Sequence, residues 1–292
     1  MKIGFLGLPL AALLLEHDGH DLVFVGLSRT DTVGLHRAQS HFGDRLLIKP
    51  DASASTLIDR AREAGAELLV SWFWTSLIPL PLVNAFPRGG IGSHPSLLPR
   101  HRGPDPYFWA IERGDAVTGV SVHRIAAEYD TGAVLEQRTI EINPSWNAWE
   151  LARALDRPSL AALRSVVRRL ASGEEIREVE QDESLATQAP QPDESLIALH
   201  FDAPTDAVLR RVRALAPAPG AYFQLGESDA VVIEAAKAER FPKALLPGEA
   251  AVVDGDVVVR TADGAISLIE VELDGEPIDQ AELASVVRSL RG

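Results

Sequence analysis

The sequence predicts an α/β protein, with a Rossmann-like, mostly parallel sheet in an N-terminal domain and a small OB-like β-barrel in a C-terminal domain. Two patterns carry this prediction. In the first half of the chain, short apolar runs alternate with segments of helical spacing, as they do in βαβ units. In the last third, short apolar runs are separated by Asp-Gly turn signals, which is typical of a small barrel of antiparallel strands.

The N-terminal elements follow from this alternation. Gly19 and Gly65 stand where glycines commonly end helices, after helical patterns at 11–17 and 53–64. Ligands of parallel sheets bind at the carboxyl ends of the strands. The loop that follows residues 90–93 is therefore the first place to look for a site. The predicted strands cover residues 2–6, 21–27, 46–48, 67–73 and 90–93.

A strand pair is predicted next, at 119–125 and 134–142, with its connecting loop carrying Asp130 toward the same edge of the sheet. Apolar residues then recur at helical spacing over 146–170, which predicts a long amphipathic helix. We divide the chain into an N-terminal domain (1–180), a polar, proline-containing linker (181–204) and a barrel domain (205–292). The last domain opens with a helix at 205–214, and its predicted strands cover 221–225, 231–235, 250–253, 257–260 and 266–271.

Composition narrows the possible functions. The chain has 292 residues, 28 of them basic and 42 acidic, and the resulting net charge of −14 disfavours a broad electrostatic hold on nucleic acid. With no cysteine, the sequence excludes disulfides and thiolate chemistry. The apolar start lacks a signal-peptide cleavage pattern, so we expect a cytoplasmic protein without a membrane partner. The four histidines between 17 and 41 lack ligand spacing, so no metal is predicted.

The most informative pair is His94, within IGSHPSLLPRHRG, and Asp130, within EYDTGAVL. A carboxylate close to an imidazole orients it and raises its basicity, which is what a catalytic base requires. Pro95 and Pro99 stiffen the loop around the histidine. A turn with an incidental histidine is the alternative, because spacing alone does not prove that the two side chains meet.

Residues 90–135 resemble the signature of the folate-dependent formyltransferase family, in particular its methionyl-tRNA formyltransferase branch and the related aminosugar and peptide N-formyltransferases. The motifs SLLP, RG, TGV and DTG occur in the family's order, and RVRALAPAPGAYFQLGE resembles the start of that branch's C-terminal barrel. The resemblance covers nearly the whole chain. It implies transfer of a formyl group from 10-formyltetrahydrofolate to a primary amine.

The resemblance also implies catalytic positions. The family uses an Asn, a His and an Asp, which correspond here to Gly92, His94 and Asp130. His94 would take a proton from the amine or steady the oxyanion, and Asp130 would tune His94. Gly92 lacks the side chain that would donate to the oxyanion, a loss that costs about 10²–10³ in turnover. The Gly92 N–H, a water or His101 could substitute for that donor, and Asp105 is a further polar candidate.

Other positions come from the same resemblance. The resemblance implies that folate is bound by two segments, one after the fourth strand and one in the DTG loop. For Trp74, plain aromatic packing is the alternative. The folate residues are Trp74, Ser76, Leu77, Ile78, Tyr129, Thr131 and Gly132. The resemblance also implies a substrate loop that contains Ser96, Leu97, Leu98, Arg102 and Gly103. For Arg102, an ordinary surface arginine is the alternative.

The acceptor stays open among methionyl-tRNA, an aminosugar nucleotide and a carrier-bound amino acid. The net charge disfavours tRNA, as does the segment 28–47, which holds only three arginines, whereas the barrel domain favours it. The alternative function is a family member that binds folate or a nucleotide ligand without formyl transfer, because of Gly92. The oligomeric state stays open.

Overall fold

The computed structural model describes residues 1–291, the last of them without its side chain. The chain divides into two compact units. Unit 1 comprises 1–104, 118–140 and 154–189, and unit 2 comprises 105–117, 141–153 and 190–292. The linker predicted at 181–204 is thus shared between the units at 189/190, and the predicted domain boundaries stay a prediction.

Unit 1 is built on a seven-stranded sheet of order β3-β2-β1-β4-β5-β6-β7. Strands β1 to β5 pair in parallel with one another, and β6 runs antiparallel to β5. This mostly parallel sheet confirms the predicted fold class. Its strands are β1 (Lys2–Gly7), β2 (Asp21–Leu27), β3 (Leu46–Ile48), β4 (Leu68–Trp72), β5 (Gly90–His94), β6 (Val117–Arg124) and β7 (Val134–Glu141).

The helices of the first half begin and end where local chemistry favours it. Helix α1 (Pro9–His17) has proline at its first position, and α3 (Ser55–Ala64) ends at Gly65, whose φ of +64° a side chain would strain. The segments α2 (Leu35–Phe42), α4 (Leu80–Val83) and α5 (Pro106–Glu112) were not predicted. In α2 only Ala38 and Phe42 are buried, too few apolar positions to mark a helix in sequence.

The long helix α6 (Ala148–Ala171) matches the prediction to within two residues. Its buried positions recur at helical spacing, because one apolar stripe faces the protein interior. They include Leu151, Leu155, Leu160, Leu163, Val166, Val167 and Leu170. Among residues 1–291, no helix has both the length and the apolarity required to cross a bilayer.

Unit 2 contains an antiparallel sheet of order β10-β11-β12-β9-β8, with β13 paired to β12. This confirms the predicted C-terminal β-domain, whereas its closure into an OB-like barrel stays a prediction. Its strands are β8 (Ala221–Leu225), β9 (Ser228–Lys237), β10 (Ala250–Val253), β11 (Asp256–Arg260), β12 (Ala265–Leu273) and β13 (Glu276–Ile278). Helical segments are α7 (Glu194–Ile197), α8 (Thr205–Leu215) and α9 (Gln280–Arg291).

Candidate active site

The candidate site lies on one face of strand β5, near its carboxyl end. Gly92 and His94 share that face because alternate residues of a strand point the same way. Ser93 points elsewhere, and its hydroxyl lies 2.9 Å from the hydroxyl of Ser159 on α6. His123 of β6 also belongs to the site, although we did not predict it there. The antiparallel register between β5 and β6 pairs it with Gly92.

His94 is almost fully buried, and both of its ring nitrogens face polar groups. Its Nε2–H donates to the backbone carbonyl of His101 at 2.8 Å. Its Nδ1 lies 3.5 Å from Oδ2 of Asp130. The two residues singled out from the sequence therefore lie side by side, with Nδ1 of the imidazole facing the carboxylate.

Asp130 reaches the site by a route that differs from our expectation. We expected the loop after β6 to lie at the carboxyl edge of the sheet. Instead, Arg124 at the end of β6 pairs with Ile91, near the amino end of β5, because β6 runs antiparallel. The loop nevertheless brings Asp130 to His94, with Oδ2 accepting from the Gly103 N–H at 3.0 Å.

The path of the loop between β6 and β7, which carries Asp130, requires a glycine at position 132. A Cβ at this position would lie 1.9 Å from the carbonyl oxygen of Arg124, far inside van der Waals contact. Asp130 itself has a φ of +59°, a left-handed conformation that aspartate tolerates better than most residues. Backbone geometry at these two positions therefore fixes where the carboxylate lies.

His123 places a second imidazole on the same carboxylate. Its Nε2 lies 3.6 Å from Oδ1 of Asp130, and its Nδ1–H donates to the carbonyl of Arg124 at 2.8 Å. Burial lowers the pKa of this histidine, while the charge of Asp130 acts in the opposite direction. The TGVSVH run marks His123 as a strand residue, but only the register with β5 reveals its partner.

Gly92 faces the edge of that second imidazole. A Cβ built at this position would lie 3.4 Å from Nε2 of His123 and 3.7 Å from its Cε1. This is ordinary contact distance, so the ring edge borders the volume that a side chain at position 92 would enter. Sequence reasoning identified the missing side chain but not the group beside the gap.

Arg102 is buried and is held by a segment that we interpreted as a linker. Its guanidinium makes a two-pronged contact with Glu183, at 2.8 and 2.7 Å. Its Nε and Nη2 also donate to Oε1 of Gln181, at 3.0 and 2.8 Å. Gln181 in turn donates through Nε2 to the carbonyls of Asp130 and Gly132, at 2.8 and 2.7 Å. Arg102 thus braces the loop that carries the carboxylate.

The rest of the predicted substrate loop is tied into unit 1. The Ser96 hydroxyl donates to the carbonyl of Arg100 at 2.6 Å, and the Ser96 carbonyl accepts from the hydroxyl of Ser121 at 2.7 Å. Leu98 is buried and its N–H donates to the same hydroxyl at 3.0 Å, while Leu97 is half-buried. These residues shape the loop around His94.

The residues predicted to bind folate differ in exposure. Leu77 and Tyr129 are exposed, at 44% and 54%. Ser76 is also exposed, whereas Ile78 packs in the hydrophobic core with residues such as Leu82. Half-buried Trp74 packs against the same core, and Thr131 donates to the carbonyl of Glu128 at 3.1 Å. The exposed members of the set can therefore contact a ligand without rearrangement of the core.

The two further polar candidates have other roles. His101 contributes its backbone carbonyl to His94, and its N–H donates to the hydroxyl of Thr187 at 2.8 Å. Asp105 caps α5 by accepting from the N–H of Phe108 at 3.2 Å, and burial raises the pKa of its carboxyl. Across the described residues, no group of three or more His, Cys, Asp and Glu side chains is arranged to hold a metal ion.

A mostly parallel sheet that brings two imidazoles and a carboxylate together near a strand end is an arrangement found in α/β enzymes. Residues 20–167 match the formyl transferase family model, and residues 192–287 match the model of the formyl transferase C-terminal domain. The chain belongs to the formyltransferase family, which confirms the resemblance found in the sequence.

Individual relatives agree with this assignment. Methionyl-tRNA formyltransferase of Anaeromyxobacter dehalogenans is 31% identical over 309 residues, covering 100% of this chain and 98% of the relative. HypX from Aquifex aeolicus, crystallised with tetrahydrofolic acid, superposes with a TM-score of 0.69 at 19% identity over 98% of this chain. This chain spans 47% of that protein.

A third relative is the N-formyltransferase from Helicobacter canadensis in complex with folinic acid and dTDP-3-aminofucose. It superposes with a TM-score of 0.69 at 15% identity, over 92% of this chain and 98% of that one. At such identities, this structure and HypX show likeness of fold alone.

Proposed function

We propose that this chain is an N-formyltransferase that moves the formyl group of 10-formyltetrahydrofolate to a primary amine. The observation that carries the proposal is the pairing of one carboxylate with two imidazoles. Asp130 lies 3.5 Å from His94 and 3.6 Å from His123. A primary amine must lose a proton when it becomes an amide, and an imidazole next to a carboxylate is suited to accept it.

Each residue has a distinct task in this proposal. His94 is held by the carbonyl of His101 and directs Nδ1 toward the carboxylate. Asp130 stabilises the positive charge that an imidazole acquires when it takes the proton, as the carboxylate of a catalytic triad does. The folate, when bound, supplies the formyl group in a form that an amine can attack. The protein supplies position and proton transfer.

The segment after β4 has features that fit a folate. Leu77 offers an exposed apolar side chain. The Trp74 Nε1–H is buried and has no hydrogen-bond partner within the described residues. A ligand that pairs apolar surface with a few hydrogen-bonding atoms suits such a surface, and a pterin has both. The fold relative HypX was crystallised in complex with tetrahydrofolic acid, which supports a folate as the ligand of this chain.

For the acceptor, the arginines of the segment after β2 favour a small amine over tRNA. Arg45 donates to Glu16 at 2.6 Å and to the carbonyl of Leu22 at 3.0 Å. Arg29 lies 4.0 Å from Asp31. Two of the three arginines of this segment are thus engaged with acidic side chains, and the net charge of −14 adds general repulsion of phosphates. The methionyl-tRNA formyltransferase relatives support the tRNA alternative.

The test is incubation with 10-formyltetrahydrofolate and a panel of amines, while released tetrahydrofolate is measured. The panel contains an aminosugar nucleotide, a carrier-bound amino acid and methionyl-tRNA. We expect multiple turnovers with a small or carrier-bound amine. Turnover with methionyl-tRNA alone, weakened by salt, would instead support the tRNA acceptor.

The second candidate function is binding without transfer, and the glycine at position 92 favours it. That position offers no side chain to the oxyanion. If the protein binds 10-formyltetrahydrofolate in a calorimeter but releases no tetrahydrofolate with any amine of the panel, the binding function replaces the transferase.

A further inference from the structure

We propose that His123 is the proton carrier of formyl transfer in this chain, acting through Nε2 at the ring edge that faces Gly92. This inference rests on the proposed function and names the residue that moves the proton. His123 is nearly fully buried, comes from β6, and is brought to the site by its cross-strand pairing with Gly92.

The first support is the space in front of the ring. A Cβ at position 92 would lie 3.4 Å from Nε2 of His123 and 3.7 Å from Cε1, so a longer side chain there would cover this edge. Glycine places no side-chain atom against this edge. Position 92 therefore adds no side chain between Nε2 of His123 and the site.

The second support is the protonation pattern that the contacts impose. A carbonyl oxygen can only accept, so the bond from Nδ1 to the carbonyl of Arg124 places a hydrogen on Nδ1. In the neutral ring, Nε2 then carries a lone pair and is a proton acceptor. His94 has the opposite arrangement, because its Nε2–H is occupied by the carbonyl of His101.

The third support is the charge around His123. Burial lowers the pKa of this imidazole, the charge of Asp130 acts in the opposite direction, and the neighbouring Arg102 lowers it further. A lowered pKa favours the neutral ring, in which Nε2 can accept a proton. Once protonated, it has Asp130 Oδ1 at 3.6 Å to stabilise the imidazolium.

The proton transfer balances without any further reactant. The amine nitrogen forms a bond to the formyl carbon, and the bond from that carbon to the donor nitrogen of the folate breaks with its electron pair. Nε2 of His123 takes the proton that the amine loses and returns it to the donor nitrogen. The imidazole ends neutral, as it began.

The kinetic test replaces His123 by asparagine. His123→Asn keeps an N–H near the position of Nδ1, and hence the bond to Arg124, but removes Nε2. We expect kcat to fall by about 10²–10⁴ with little change in KM, as for loss of an acid–base group. The acidic limb of the pH profile of kcat should disappear as well. His20→Asn is the matched control, because His20 is a buried histidine of unit 1 whose pKa burial also lowers.

An unchanged kcat or an unchanged pH profile in folded His123→Asn would overturn the inference. A second measurement reports the tautomer of His123 directly and does not depend on enzymatic activity. Nitrogen-15 NMR of the histidine rings, assigned by the signal lost in His123→Asn or by through-bond correlations in the wild type, reports the tautomer. We expect a hydrogen on Nδ1 and none on Nε2 at neutral pH.

An Nε2–H tautomer or a ring protonated at neutral pH would also overturn the role of His123. The two failures are distinguishable. If the wild-type protein transfers formyl to no amine, the proposed function is wrong. If the wild type turns over and His123→Asn matches it, only the inference about His123 is wrong.

Discussion

Gln181→Ala tests whether the segment predicted to be a linker, 181–204, holds the loop that carries Asp130 in place. Gln181 makes four hydrogen bonds, two from Nε2 to the carbonyls of Asp130 and Gly132 and two from Arg102 to its Oε1. A hydrogen bond contributes about 1 kcal/mol net, and one to a charged group about 1.5–3. Water and Glu183 retain part of the interaction with Arg102, so we expect a loss of about 2–4 kcal/mol in the free energy of unfolding.

The same change should reduce activity by displacing the carboxylate. Without Gln181, the loop that carries Asp130 loses two of its backbone anchors, and a displacement of about 1 Å can cost about 100-fold in rate. Urea unfolding and steady-state formyl transfer measure the two effects. Gln188→Ala is the matched control: Gln188 is exposed and its backbone pairs with Arg102. If Gln181→Ala and Gln188→Ala have the same stability and the same kcat, Gln181 does not brace the site.

Three further predictions follow from the site and the fold. His94→Ala and Asp130→Asn should each lower kcat by about 10²–10⁴ while circular dichroism stays that of the wild type; full activity in either variant would contradict the assignment. Gly132→Ala places a Cβ 1.9 Å from the carbonyl of Arg124, so stability and activity should fall together, and an unaffected melting temperature would contradict this. Burial lowers the pKa of His20 from 6.5, so the unfolded state binds more protons as pH falls. The unfolding free energy should therefore decline below pH 6.5 toward the lowered pKa, less steeply in His20→Gln; an equal slope in the two proteins would argue against this cause.

Sequence reasoning predicted the elements whose pattern is local. The strands at 21–27, 46–48 and 221–225 have the predicted bounds, because an apolar run bounded by turn residues is visible without knowledge of the rest of the chain. Helix α9 escaped prediction although Leu283, Ala284 and Val287 are buried. Its buried apolar stripe spans few positions, which is a weak signal of a helix in a sequence.

The site was predictable in part for the same reason. His94 and Asp130 stand in motifs that a single sequence displays, whereas His123 depends on the register between β5 and β6. Register is a non-local property, and a shift by one residue would turn His123 to the other face. Gln181 could not be predicted from the sequence, because its polar, proline-containing surroundings are typical of a linker. Only its contacts in the structure reveal its role.

The most direct measurement of the central claim is detection of the formylated amine by mass spectrometry, together with released tetrahydrofolate, for the wild type and Asp130→Asn. The wild type and Asp130→Asn should be assayed at equal folate occupancy, which calorimetry verifies. We expect the wild type to form product over many turnovers and Asp130→Asn to form it about 10²–10⁴ times more slowly. Folate binding without product in the wild type, or equal rates in the two proteins, would contradict formyl transfer at this carboxylate.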